Sequence, residues 1–359
     1  MKVLRPWLVA PHTIEYREQE IHLTPETVLV RHVCTAPSQG TAIHRYRGEE
    51  IGVAPFSRKE SGGPFPYPWL QGFAYGVGRI EETGANVQEV EVGQLVYSQK
   101  LTAELSVLNP SDLIPLPAGL DPESATMLLQ AEVGLKGARG ADIILGDVVL
   151  VTGQGPIGSF AAQLCKLAGA YQIIVTDISD TRLGIARQMG ADLTLNPLSD
   201  DVLGRIEEFT DGRGADIVVE SSGSPNAFLQ GCAAAAGGGK IVVIGWILEA
   251  CQFNMSDAFT PKGLELVVCH SGQIGDWKIG RRRLQARGMR GDGRRRGMPP
   301  KLNAPLNEDY MYLMNLMAQD KLKAKELISH RFPLSDLVRA WDEFIDKKPA
   351  EYVQVVFVS

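Results

Sequence analysis

The run Val148-Val149-Leu150-Val151-Thr152 passes directly into Gly153-Gln154-Gly155-Pro156-Ile157-Gly158. Beyond it, Ile157–Leu167 sets Ile157, Phe160, Ala161 and Leu164 at helical spacing. An apolar strand, a glycine turn and a helix in that order leave few folds open. Gly153 permits the tight turn, Gly155 lets the backbone approach a pyrophosphate, and Gly158 lets helix and strand pack closely. Pro156 and Ile157 then open the helix, whose unpaired N–H groups and positive dipole end stabilise an anion. The next strand, Ile173–Asp177, ends in an acid 19 residues beyond Gly158. A carboxylate there accepts hydrogen bonds from both ribose hydroxyls of NAD and repels a 2′-phosphate, so NAD(H) is the expected cofactor. Arg182, close behind it, argues for the phosphorylated form and belongs to the same candidate site.

The same texture continues along the chain. Apolar runs at Leu193–Asn196, Ile217–Glu220, Ile241–Gly245 and Leu264–His270 alternate with helical stretches, the pattern of a parallel sheet covered on both faces. Residues 1–110 differ, with short strands at Val28–Val33 and Val77–Glu81 and loop punctuation at Gly62-Gly63-Pro64, as in a small irregular barrel. The chain has 359 residues, more than one core usually fills. We expect an α/β protein of two domains. One spans 1–130 and is completed by 305–359, with helices at Tyr310–Lys321 and Leu334–Asp346, Ser335 as N-cap of the latter, and a final strand at Tyr352–Val358. The other, 131–304, is a doubly wound nucleotide-binding domain.

Composition excludes several classes. No apolar run reaches the ~18–20 residues that span a bilayer, and Arg5, Pro6 and Pro11 interrupt the start before it resembles a signal core. Five scattered cysteines with no C-x-x-C pair fit buried thiols in a reducing compartment, so a cytoplasmic protein is expected. Between Lys278 and Lys301 lie eight arginines and two lysines against a single Asp292. That stretch reads as a solvated insertion, or as an anion-binding loop. Without interleaved aromatics, and in a chain of net charge −6, nucleic acid is not the expected partner.

Further segments resemble the medium-chain dehydrogenase/reductase family of the alcohol dehydrogenase type. They are Gly40-Thr41-Ala42-Ile43-His44, Gly76-Val77-Gly78-Arg79-Ile80, Gly146 through Gly158, Gly190-Ala191-Asp192, Glu220-Ser221-Ser222-Gly223-Ser224-Pro225 and Ser329-His330-Arg331-Phe332-Pro333-Leu334. The resemblance implies a GroES-like irregular β-barrel domain, a Rossmann domain, and a homodimer or homotetramer. Ser222, Gly245 and His270 end successive strands, where ligands of open parallel sheets sit, and the resemblance puts the backbone near Gly245 and Cys269–Ser271 beside the nicotinamide. The departures concern zinc. Where zinc-dependent members carry a cysteine before Gly-Thr, a histidine in Gly-His-Glu and a later cysteine or glutamate, this chain has Gln39, Phe73 and Leu129-Gln130. Amide and phenyl groups do not replace thiolate, imidazole or carboxylate donors, so no metal is expected.

Thr41 and His44 match the positions that in zinc-dependent relatives relay the alcohol proton to solvent, and imidazole exchanges protons near neutral pH. The same two residues read equally as a turn cap and a satisfier of a backbone carbonyl. Without zinc, another group must stabilise charge on the carbonyl oxygen, and Thr41, His44, Tyr67, Tyr75 and Lys100 are the candidates. The expected function is zinc-independent hydride transfer between nicotinamide and a small-molecule alcohol or carbonyl, such as a sugar, a cyclitol or a bacteriochlorophyllide-like intermediate. A quinone or enone reductase and a catalytically silent dinucleotide binder are the alternatives.

Overall fold

Leu8 opposite Ile14 near the turn, and Val3 clustered with Ile21 at the open end, anchor the first hairpin, β1 (Lys2–Ala10) with β2 (Thr13–Glu20) antiparallel to it. The same prolines that interrupt the sequence pattern sit within or at the turn of this hairpin. A computed structural model describes residues 1–49, 67–68, 75–101, 103–269 and 304–359. Next come β3 (Val28–Ala36) and helix α1 (Gln39–Arg47), which ends at Gly48 in the left-handed conformation, φ 75°. Strands β4 (Tyr75–Thr83), β5 (Leu95–Ser98), β6 (Leu105–Leu108) and β7 (Ile114–Pro115) follow, then α2 (Pro122–Ala125), capped by the Asp121 carboxylate.

The second unit opens with α3 (Leu128–Ala141). It continues through β8 (Val148–Thr152), α4 (Pro156–Leu167), β9 (Gln172–Thr176), α5 (Asp180–Gln188), β10 (Leu193–Leu195) and α6 (Val202–Phe209). It ends with β11 (Ala215–Glu220), α7 (Pro225–Ala234), β12 (Ala235–Val243), α8 (Met255–Ala258), β13 (Glu265–Val268) and α9 (Ala304–Ala318). Its six strands lie parallel in the order β10-β9-β8-β11-β12-β13. The strand order reverses between β8 and β11, and ligands of open parallel sheets bind outside the carboxyl ends at such a point. Val148, Leu150, Ile174, Val218, Ile241 and Phe228 form the core on one face. On the other, α3 lies close because it presents glycine: a Cβ at Gly134 would stand 2.9 Å from Ala161 N, and one at Gly137 3.0 Å from Ile244.

The chain then returns. Strands β14 (Ile328–Pro333) and β15 (Gln354–Val358) join the first unit's sheet, whose order is β14-β15-β3-β4-β5-β7 with β6 also on β3. Trp341, Tyr46, Tyr352 and Phe357 fill its core. The units are Met1–Leu128 with Ile328–Ser359, and Leu129–Leu327.

The return therefore begins at Ile328, a correction to the expected boundary at residue 305. Segment 305–327 is held by the second unit. Arg139 forks onto the Asp309 carboxylate at 2.6 Å, and the Gln163 amide brackets the Lys323 backbone at 2.7 and 3.0 Å. Ser335 caps nothing either: Leu334–Asp336 is a 3₁₀ turn without a side-chain cap, followed by Leu337–Ala340 and a π turn at Trp341–Ile345.

Candidate functional site

The turn between β8 and α4 assigns its three glycines different tasks. Gly153 has φ 83°, and a Cβ there would meet Ser222 at 2.8 Å. At Gly158 a Cβ would stand 1.9 Å from the Gly153 carbonyl oxygen. Gly155, the N-cap of α4, has nothing within 4 Å of such an atom and no side-chain cap hydrogen bond. Two glycines are thus required by packing, while the third faces open space, as a backbone must that receives a bulky anion. Pro156 occupies the first helical turn with Ile157, and Ser221 Oγ locks the turn from β11 by donating to the Thr152 and Gly153 carbonyls at 2.7 and 3.0 Å.

At the tip of β9, Asp177 is buried. Its Oδ2 accepts the Gln154 N–H at 2.6 Å and its Oδ1 the Ser179 N–H at 2.8 Å, with Arg182 at 3.7 Å. A carboxylate has about four lone-pair sites, so two remain for ribose hydroxyls. The acid both shapes the glycine turn and keeps capacity for a ligand, and the residues present fit a dinucleotide.

Glu220, at the end of β11, is a further candidate that the sequence reading passed over. Its side chain is fully buried, and its Oε1 accepts from Ser222 N, Ser222 Oγ and Gly223 N at 2.5–2.9 Å. Burial pushes the Glu220 carboxyl up, against the pull of these hydrogen bonds. The available signal was an acid closing an otherwise apolar strand. Ser222 spends its hydroxyl proton on Glu220, and Gly245 leaves room for that carboxylate, since a Cβ there would stand 2.7 Å from Oε2. His270 and the arginine-rich stretch 278–301 lie outside the described residues.

In the first unit, α1 carries Thr41 and His44 one turn apart, both half-buried. His44 Nδ1 pairs with the Glu49 carboxylate, a partner that neither expected reading supplied. Tyr75 lies opposite Ala36 at the start of β4, beside the entry to α1. Burial raises its phenol, opposed by the Arg45 charge and a hydrogen bond with Ser38. The remaining candidates are engaged elsewhere: Tyr67 donates to the Arg45 carbonyl at 3.0 Å, and Lys100 pairs with Asp112 at 2.8 Å.

Among the described residues no three His, Cys, Asp or Glu side chains group around a common point, and amide and phenyl side chains stand at the family's ligand positions.

Residues 156–285 match the family model described as zinc-binding dehydrogenase. The chain is 31% identical over 260 residues to the D-guloside 3-dehydrogenase of Escherichia coli (strain K12), covering 67% of this chain and 73% of that one. Two solved structures share the fold over 100% of this chain at 18% identity. One, from E. coli CFT073, is complexed with NADH (TM-score 0.74, 99% of that chain covered), and the other, from Sinorhizobium meliloti 1021, is bound to NADP (TM-score 0.75, 100% covered). On the strength of the glycine turn, the sheet order and these matches, the chain belongs to the medium-chain dehydrogenase/reductase family, in its zinc-type alcohol dehydrogenase branch.

Proposed function

We propose that this chain is a zinc-independent, NAD(H)-linked oxidoreductase that interconverts an alcohol and a carbonyl, with a sugar or cyclitol as the substrate class. The observation that carries the reading is the pairing of an open Gly155 with the Asp177 carboxylate at the adjacent strand tip. The N–H groups of the first turn of α4, from Ile157 onward, hold the pyrophosphate, with Gly155 giving it room and Pro156, which has no N–H, starting the helix. Gly153 and Gly158 keep that turn in shape. Asp177 takes the ribose hydroxyls, its charge disfavours a 2′-phosphate, and Arg182 neutralises it only at 3.7 Å. Ser222, Gly245 and Glu220 form the wall at the ends of β11 and β12. When bound, the dinucleotide supplies the hydride or accepts it. His44, oriented by Glu49, and Thr41 exchange the substrate proton with solvent, with Tyr75 as the other hydroxyl of that unit. The sugar assignment draws on the guloside dehydrogenase likeness, and two or four copies are the expected assembly.

The test is turnover of NADH and NADPH with aldehydes, keto-sugars, inosose, quinones and enones, alongside metal analysis of the purified protein. We expect NADH-dependent reduction of a polyhydroxylated ketone with well under one zinc per chain. Stoichiometric zinc removes the zinc-independent part. A preference for quinones or enones moves the chain to C=C reduction, and dinucleotide binding without any turnover makes it a silent binder.

A further inference from the structure

The amide of Gln130 stands out among the buried polar groups of the second unit. The residue is 3% exposed, and neither its Nε2 nor its Oε1 has a hydrogen-bond partner among the described residues. An amide so placed loses its hydration without replacement, a penalty that folded proteins rarely retain without a reason.

Its position follows from helix geometry. Helix α3 leads into the amino end of β8 and α4 leaves the carboxyl end, so both run from the carboxyl edge of the sheet towards the amino edge. They touch where Gly134 meets Phe160 and Ala161. Gln130 lies four residues before Gly134 on the same face, about one turn or ~5.4 Å nearer the carboxyl edge. Four residues before Ala161 on α4 is Ile157, in that helix's first turn. The unpaired amide is therefore at the carboxyl edge of the sheet, level with the first turn of α4 that holds the pyrophosphate on the reading above, and so on the edge along which the rest of the dinucleotide and its substrate lie.

We infer that the Gln130 side chain hydrogen-bonds the reacting oxygen of the substrate, supplying the charge stabilisation that a metal gives in zinc-dependent chemistry; the inference rests on the oxidoreductase reading. An amide suits a group that alternates between two states. Its N–H donates to a carbonyl or developing oxyanion, and its C=O accepts from the hydroxyl of the alcohol. In the reductive direction the carbonyl carbon receives a hydride, with its two electrons, from the reduced dinucleotide, which leaves oxidised. The C=O π pair moves onto oxygen, where the Gln130 N–H stabilises it, and a proton from solvent, passed on by His44 and Thr41 on the reading above, completes the hydroxyl.

The experiment compares the full chain with Gln130→Leu, similar in volume and without polar atoms. With the best carbonyl substrate of the panel, kcat falls ~10²–10³-fold, as for loss of one oxyanion donor. The isotope effect with C4-deuterated NADH rises because the transfer step becomes limiting. NADH affinity by fluorescence stays within twofold. The melting temperature of the cofactor-free protein rises, since an unpaired buried amide has gone; a merely structural glutamine would lower it. A kcat within threefold of wild type, an NADH affinity that falls with turnover, or a lowered melting temperature overturns the assignment alone. Wild-type protein that binds NADH but reduces none of the carbonyls overturns the oxidoreductase reading as well.

Discussion

Asp177 shapes the glycine turn and, on the function proposed above, also takes the ribose hydroxyls, and the two duties can be separated by measurement. Its oxygens already accept the Gln154 and Ser179 N–H groups, so a substitution affects the turn as well as the ligand. Asp177→Ser should weaken NADH binding ~10–100-fold, the range for lost hydrogen bonds to a charged group, while NADPH binding weakens less. Fluorescence titration of both cofactors decides this, and an unchanged ratio of affinities places the ribose contact elsewhere. Asp177 was legible because the fold fixes its distance from the glycine turn. Glu220 and Gln130 were not. Their meaning lies in burial and in missing partners, which arise only when strands and helices distant in sequence assemble.

Individual elements were readable to the degree that their burial is uniform. Strands such as β8 and β11 are covered on both faces and appear as continuous apolar runs. The hairpin β1–β2 escaped notice because β2 buries little besides Ile14 and β1 contains Pro6. The β8–α4 connection offers a sharper test of which glycine serves which purpose. Gly158→Ala drives a methyl into the Gly153 carbonyl and should destabilise the protein by about 1–3 kcal/mol in urea unfolding. Gly155→Ala meets nothing, has an ordinary φ of −67°, and should cost under about 1 kcal/mol while dinucleotide affinity drops at least tenfold. Equal effects of the two changes on stability would contradict this division of labour.

For the molecule as a whole, the two-domain plan was visible in the contrast between residues 1–110 and the strand–helix alternation from Val148 on, but the return point was not. An amphipathic helix such as α9 does not announce which unit it packs on, whereas the Arg139–Asp309 pair and the Gln163 bracket tie the segment to the second unit. Acid stability is a second whole-molecule property. His32 is buried on β3, with Nδ1 2.6 Å from Ser359 Oγ and Nε2 3.3 Å from Thr35 Oγ1, and burial holds its imidazole down to about 4. The unfolded chain binds this proton near pH 6.5, so stability is complete above that pH and is lost as the pH falls towards 4. Between pH 7 and pH 5 the loss from this group is about 2 kcal/mol. Urea unfolding of wild type and His32→Asn should show that difference in slope, and parallel pH profiles would refute it.

The pairing of Thr35 with Phe357 has a consequence for biosynthesis. On the ribosome β3 emerges early, yet one of its neighbours is translated only after every strand of the Leu129–Leu327 unit. The uninterrupted middle of the polypeptide can mature first, while the amino-terminal sheet waits with an uncovered edge for its last strand. A nascent chain stalled before Gln354 should yield a protease-resistant central fragment flanked by digestible ends.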